Sequence, residues 1–161
     1  MADNPFTSNL QQAALLQRAV AWCVSAERTS HDAVEHLCQW GAESADAVLI
    51  VRWLEEEGYI DDARYAKHYS ESKVLWHGWG RKKVTFNLRS KGISSAIIAD
   101  ALEAIDETTY LETATKVAKA KWHTLMALPY EQRMVRIKAF LAQRGFTMQE
   151  IYQTITNLNS K

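Results

Sequence analysis

The chain has 161 residues, equal numbers of basic and acidic side chains (19 each), a formal net charge of zero at pH 7 and two cysteines. No stretch approaches the roughly 20 apolar residues that span a bilayer, and Ala2 to Asn9 is polar, so we expect neither a membrane helix nor a secretory signal. Cys23 and Cys38 lack the spacing of metal or redox motifs, which favours reduced core thiols in a cytoplasmic protein.

A short pattern recurs three times: a leucine is followed four residues later by a glycine, and then by a hydroxyl residue. The leucine–glycine pairs are Leu37 with Gly41, Leu88 with Gly92, and Leu141 with Gly145. Each glycine is predicted to end a helix at positive φ. Ser44, Ser94 and Thr147 are predicted to cap the helices that follow. Recurrence at a period of roughly 50 residues indicates a repeat architecture.

A longer amphipathic helix is predicted before each of these pairs. Its apolar stripe runs from Leu15 to Ala26 in the first unit, from Ala63 to Trp76 in the second and from Tyr110 to Leu125 in the third. No segment alternates as a half-buried strand would. We therefore predict an all-α fold of nine helices. They form three tandem three-helix repeats in an elongated, curved array: 1–58 with a short N-terminal tail (Met1 to Phe6), 59–106 and 107–161.

The neutral charge hides a gradient along the chain. Residues 1–59 hold three basic and nine acidic residues, residues 60–106 hold eight and six, and residues 107–161 hold eight and four. The net charge therefore changes from negative in the first unit to positive in the other two. Such asymmetry is typical of proteins that steer or bind a charged partner.

The most specific part of the sequence lies in the second unit. It contains Gly58-Tyr-Ile-Asp-Asp-Ala-Arg-Tyr-Ala66, then Gly78-Trp-Gly-Arg-Lys-Lys-Val84, then Leu88-Arg-Ser-Lys-Gly-Ile93. These runs resemble the RecX family, bacterial regulators of the RecA recombinase. The resemblance is tight over residues 58–102 and looser over the rest, including Gly145. This chain departs from the family pattern with Arg81 where proline is common, and with Trp40 where lysine is usual.

The resemblance implies a regulatory protein that lies in the helical groove of the RecA–DNA filament. Such a protein inhibits ATP hydrolysis, strand exchange and filament extension. The expected partner is the RecA filament, with possible direct DNA contact. We expect no enzymatic activity, no cofactor or metal, and no membrane binding. We expect a monomer. The alternatives are a DNA-binding helical module acting through phosphate contacts and a helical adaptor for another assembly.

Two basic groups are candidate partner- or DNA-binding residues. The denser one comprises Arg81, Lys82, Lys83, Arg89 and Lys91, on a helix whose Val84 and Leu88 face the core. Helical spacing then places Arg81, Lys82 and Arg89 partly on the outer face. The second is spread through the third unit and comprises Lys116, Lys119, Lys121, Arg133, Arg136, Lys138 and Arg144. Its candidate binding residues are the two pairs one helical turn apart, Lys116 with Lys119 and Arg133 with Arg136. The alternative for both groups is an ordinary solvated helix face. Charge reversal at Arg81, Lys82 and Lys83 is expected to weaken inhibition of the recombinase.

Six tryptophans are present. Trp79, between two glycines, is the candidate for contact with a partner. The set predicted to fill the core comprises Trp22, Trp53, Trp76 and Trp122.

The motif residues of the second unit favour a structural role. Asp61 and Asp62 precede a predicted helix, where one can cap it and the other can favour its positive end. Arg64 is close enough in sequence to neutralise one of them, and Tyr59 precedes the cap. The five histidines are scattered and give no metal-ligand spacing.

Overall fold

The computed structural model describes Phe6 and residues 9–160, and the regular structure in this part is helical throughout. The helices are α1 (Leu10–Ser25), α2 (Ser30–Gln39), α3 (Ser44–Glu56), α4 (Asp62–Glu71), α5 (Arg81–Ser90), α6 (Ser95–Glu103), α7 (Glu107–Thr124), α8 (Tyr130–Gln143) and α9 (Met148–Asn159). Helix α4 continues into a π-helical turn, Ser72–Trp76. Apart from Phe6, the predicted N-terminal tail lies outside the described residues.

The helices pack in consecutive groups of three. Helices α1, α2 and α3 contact one another, α6 contacts α4 and α5, and α7, α8 and α9 contact one another. The π-helical turn contacts α5 and also α7, which joins the second group to the third. The predicted all-α fold of three tandem three-helix units is therefore confirmed. Its division at 58/59 and 106/107 stays a prediction.

The recurring leucine–glycine pattern forms the same helix end three times. Gly41, Gly92 and Gly145 have φ values of 100°, 75° and 93°. The amide after each glycine donates to the carbonyl of the pattern's leucine, at 3.0 Å in the first unit and 3.1 Å in the other two. This is the six-to-one bond of a Schellman motif, and all three leucines are buried. One local device thus ends the second helix of every unit.

The predicted caps of the helices that follow are correct in two of three cases. The Ser94 hydroxyl accepts from the amide of Ile97, and Thr147 and Glu150 form a reciprocal capping box. The prediction for Ser44 is wrong, because Ser44 is the first residue of α3 and Glu43 occupies the cap position without a side-chain bond.

Buried apolar side chains of the described residues form two clusters. The first unit encloses its own cluster around Leu16, Leu37 and Ile50. The second and third units share one cluster, in which Leu88 from α5 joins Leu141 from α8. The first unit is therefore a body with its own core, whereas the other two units are packed into a single body.

Candidate partner-binding surface

Helix α5 carries most of the denser basic group, and its two sides differ sharply. Val84 and Leu88 are fully buried in the shared core. Lys82, Phe86 and Arg89 follow one another at intervals of four and three residues, so they form one stripe on the side away from the core. All three are exposed, and Phe86 is 73% exposed. The structure therefore brings two of the predicted cations together on one accessible helix face.

Arg81, at the start of the same helix, is directed inward instead. Its guanidinium contacts Glu107 at 2.5 Å and Glu150 at 3.1 Å, and lies 3.9 Å from the centre of the Tyr110 ring. Burial alone would lower the pKa of Arg81, but the hydrogen bond and charge of Glu107, with smaller contributions from Tyr110 and Glu150, raise it above its usual value. Only 28% of the side chain is exposed. Arg81 thus links the second unit to the third.

Glu150 is the centre of this polar junction. Its carboxylate accepts from the Tyr110 hydroxyl at 3.1 Å and from the Thr147 amide at 2.8 Å, in addition to Arg81. Burial, together with the charge of Glu150, raises the pKa of the Tyr110 phenol, so this hydroxyl remains a donor at neutral pH. In the sequence, Glu150 stands three residues after Thr147, the spacing of a capping box, and that spacing predicts no other role for it. The partners that give it a second role lie 40 and 69 residues away.

Lys83 and Trp79 contact each other at the edge of α5. The Lys83 ammonium lies 4.2 Å from the centre of the Trp79 ring, and that of Lys73 lies 5.0 Å from it. Trp79 is partly buried against the shared core. Its role as a partner contact stays a prediction, but two cations already approach its ring.

The core predictions for the other tryptophans are correct in three cases. Trp22, Trp53 and Trp122 pack against the two apolar clusters. The prediction for Trp76 is wrong, because this side chain is 84% exposed. Val74 is the buried residue of the π-helical turn, and a position two residues further along a helix faces nearly the opposite side.

Lys91 and the second-unit motif residues form the junction with the first unit. The Lys91 ammonium contacts Asp32 at 3.3 Å. Burial alone would lower the pKa of Lys91, but Tyr65 and Asp32 raise it. Gly92 lies against the side chain of His31, where a Cβ atom would overlap it. Lys91 is therefore engaged within the chain.

Asp61 and Asp62 have different roles, one as a helix cap and the other in the contact between the first and second units. Asp61 caps α4 by accepting from the Arg64 amide at 2.9 Å, as predicted. Asp62 accepts from the amide and hydroxyl of Ser30 in the first unit, at 2.9 and 2.6 Å. The predicted neutralisation by Arg64 is wrong, because its guanidinium contacts Glu27 at 2.7 Å.

Tyr59 belongs to the first unit's packing. Its ring stacks on Trp53 with the ring centres 6.0 Å apart. A structural role for this residue therefore rests on packing beside α3.

The cations of the third unit lie on more than one surface. Lys116 and Lys119 are exposed and line a groove of about 670 Å³ between α7 and α9, together with Leu111 and Asn157. Arg133 is partly buried, with its guanidinium 4.6 Å from the centre of the Trp122 ring. Arg136 is exposed on α8.

The described residues were compared with the requirements for a metal site and for a membrane-spanning helix, and they meet neither. Among Phe6 and residues 9–160, no group of three His, Cys, Asp or Glu side chains could hold a metal ion. Within the same part of the chain, no helix is long and apolar enough to cross a bilayer.

Comparison with known proteins gives consistent matches in sequence and fold. Family models described as the second and third three-helix domains of RecX match residues 61–102 and 108–155. Regulatory protein RecX of Pectobacterium atrosepticum is 28% identical over 89% of this chain and 85% of its own length. That of Chlorobaculum tepidum is 30% identical over 71% of this chain and 69% of its own length. Several other relatives are longer, and the matched part spans from 50% to 61% of their length.

The fold also matches a solved structure. The crystal structure of RecX from Lactobacillus salivarius superposes with a TM-score of 0.86 at 22% sequence identity. The match covers 93% of this chain and 97% of that one. The arrangement of helices is therefore the same along nearly the whole chain.

Proposed function

We propose that this chain, which belongs to the RecX family, regulates the RecA recombinase by binding the RecA–DNA filament. In this proposal the chain lies in the helical groove of the filament, in the cytoplasm. There it inhibits ATP hydrolysis, strand exchange and filament extension without catalysing a reaction itself. The observation that carries the proposal is the match of two successive three-helix domains to those of RecX, in a chain whose relatives are named regulatory proteins.

The packing of the units suggests how such a chain could restrain a filament. The second and third units share one core and are also joined by the Arg81 and Glu150 network. Two units held at a fixed relative orientation can contact neighbouring protomers at the same time. Each contact then adds to the others through effective concentration, even where it is weak alone. A clamp of this kind would oppose the subunit motions that accompany hydrolysis.

The contacts within the chain narrow the set of candidate binding cations. Arg81 and Lys91 are in ion pairs at the two unit junctions. Lys82, Arg89, Lys116, Lys119 and Arg136 are exposed and have no ion pair among the described residues. We propose that these five cations provide most of the electrostatic attraction to the filament. The acidic first unit would face a basic part of the partner.

The test is the DNA-dependent ATPase of the cognate recombinase with and without this chain. We expect the wild-type chain to lower the ATPase rate, and the double reversal Lys82→Glu with Arg89→Glu to raise the concentration needed for half inhibition. Lys67→Glu, on the exposed side of α4, is the control for a single charge reversal away from α5, and it is compared with Lys82→Glu and Arg89→Glu measured singly, which change the net charge by the same amount. An ATPase rate that is insensitive to the wild-type chain would contradict the proposal. Reversal of Arg81 is unsuitable, because it would disrupt the junction with Glu107 and Glu150.

A binding titration separates the alternatives that the sequence leaves open. The chain is titrated against bare DNA, free recombinase and the recombinase–DNA filament at two salt concentrations. We expect the filament to bind most tightly. Tight binding of bare DNA with a steep loss at high salt would instead indicate a phosphate-binding module. Binding to none of the three would favour an adaptor for another assembly.

A further inference from the structure

We propose that the outer face of α5 is a protein-docking surface. Phe86 enters an apolar pocket of the partner, and Lys82 and Arg89 contact carboxylates at the rim of that pocket. This inference rests on the proposed function, because it takes the recombinase protein, and not its DNA, as the partner of this face.

The position of Phe86 on α5 is the first observation. Val84 and Leu88, two residues to either side, are fully buried, so Phe86 projects from the opposite side of the helix. The residue is 73% exposed. A single exposed apolar side chain is common in proteins and indicates nothing alone. The neighbours on the same stripe give this one its significance.

The second observation is the charge that flanks the ring. Lys82 lies one turn before Phe86 and Arg89 one turn after it, which places the two cations about 10 Å apart along the helix. Both are exposed, and in the described part of the chain neither is in an ion pair or over an aromatic ring. Lys83, by contrast, lies over Trp79. The face thus presents one large apolar group between two available positive charges.

The shape and charge of this face favour a protein, and not a nucleic acid, as its binding partner. Proteins that stack bases place aromatic rings along a groove that follows the strand. Phe86 projects from the outer face of α5, and among the described residues it is in no aromatic ring pair. A projecting aromatic ring with charged neighbours is the form of a helix anchor that fills a partner's pocket. Charge complementarity then requires acidic groups at the rim of that pocket.

The size of this face makes it one patch of a larger contact. Three side chains over two helical turns cannot alone cover the roughly 800 Å² that each partner contributes to a stable protein interface. The remaining area would come from the other units, in agreement with the clamp proposed above. Phe86 is expected to be the energetic centre of its patch, since buried aromatic anchors dominate such interfaces.

The experiment compares four chains: wild type, Phe86→Ala, the double variant Lys82→Glu with Arg89→Glu, and Trp76→Ala. Trp76 is the matched control, because it is an exposed aromatic residue of the same unit outside the stripe. Affinity is measured for the recombinase–DNA filament and for bare single-stranded DNA, at about 0.05 M and about 0.5 M salt. Helix content and urea unfolding are measured in parallel. Phe86→Ala is expected to leave both unchanged, because the side chain is outside the core.

Phe86→Ala is expected to weaken filament binding about 10- to 30-fold at both salt concentrations. The double charge reversal is expected to weaken it strongly at low salt and much less at high salt. Trp76→Ala should change it less than about twofold. Binding to bare DNA should be the same for wild type and Phe86→Ala.

Three results would overturn the inference. The first is unchanged filament affinity in Phe86→Ala while the wild type still inhibits the ATPase, and this result leaves the proposed function intact. The second is an equal loss in Trp76→Ala, which would show that any exposed aromatic residue has the same effect. The third is a loss confined to bare DNA, which would assign the face to nucleic acid. A wild-type chain that neither binds nor inhibits the recombinase would remove the proposed function and this inference with it.

Discussion

Replacing Gly80 with alanine should weaken the contact between the second and third units. Gly80 has φ −79° and ψ 161°, a conformation that alanine adopts without strain. A Cβ atom there, however, would lie less than 3.0 Å from the backbone of Gly145 and from the amide nitrogen of Phe146. Backbone atoms cannot rotate away as a side chain can. The cost of the substitution therefore comes from contact between units and not from the local conformation.

The size of the effect can be estimated from the contacts at this point. The Gly80 amide donates to the Arg144 carbonyl at 2.7 Å, and the Lys82 amide donates to the Gly145 carbonyl at 3.1 Å. Displacing the two backbones loses about 1 kcal/mol for each bond. Overpacking adds about 1–3 kcal/mol, and the lower entropy of the unfolded alanine chain returns about 0.4–1 kcal/mol. The free energy of unfolding should fall by about 2–4.5 kcal/mol.

The assay is urea unfolding followed by circular dichroism, with Gly41→Ala as the control. Gly41 has φ 100°, and apart from Gly41 and its two chain neighbours no atom of the described residues lies within 4 Å of the point that an alanine Cβ would occupy. Alanine there therefore costs only the left-handed conformation, about 1–2 kcal/mol. Gly80→Ala should destabilise the body formed by the second and third units, whereas Gly41→Ala should destabilise the first unit. A Gly80→Ala protein within about 0.5 kcal/mol of wild type would refute the reasoning.

Three further variants, with Glu107→Ala as a control for the first, test the junctions and one helix cap. Glu150→Ala should cost about 3 kcal/mol in urea unfolding, because it leaves buried donors unpaired, whereas the exposed Glu107→Ala should cost less than about 1 kcal/mol. Asp62→Ala should lose two bonds to Ser30, about 1–2 kcal/mol, and increase amide exchange in α2 near that residue. The pKa of Asp106 lies below its usual value because the amide and hydroxyl three residues later donate to it. Its stabilising effect is therefore present above the unfolded pKa and lost as the pH falls through the folded one, so the melting difference between wild type and Asp106→Asn should close in acid.

Local features of the fold are predictable from the sequence. A Schellman end needs only a glycine and the leucine four residues before it, so the spacing of Leu141 and Gly145 suffices to predict one. The capping box of Thr147 is equally local. Ser44 shows the limit of this reasoning, because a hydroxyl residue at a helix start can be the cap or the residue after it. Which of the two residues caps the helix depends on the backbone conformation of the preceding turn.

The roles of the basic residues are only partly predictable. Helical spacing predicts that Arg81, Lys82 and Arg89 lie partly on the outer face of α5. The structure agrees for Lys82 and Arg89, whereas the prediction for Arg81 is wrong, because its side chain is directed toward Glu107 and Glu150. The same spacing cannot show that Arg81 is paired with carboxylates 26 and 69 residues later, since those pairings depend on how the units dock. The wrong prediction for Trp76 has a different cause. Its apolar ring favours the core, but its position two residues beyond the buried Val74 directs it to solvent.

The divided core has a consequence for folding during synthesis. The first unit's cluster is complete once Ile60 has been added, so this unit can close while the rest of the chain is still being made. The shared cluster includes Ile151 and Ile155 of α9, so the second unit exposes its apolar faces until the final helix leaves the ribosome. We therefore expect chaperones to bind nascent chains whose synthesis has passed Ile60 but has not yet completed α9.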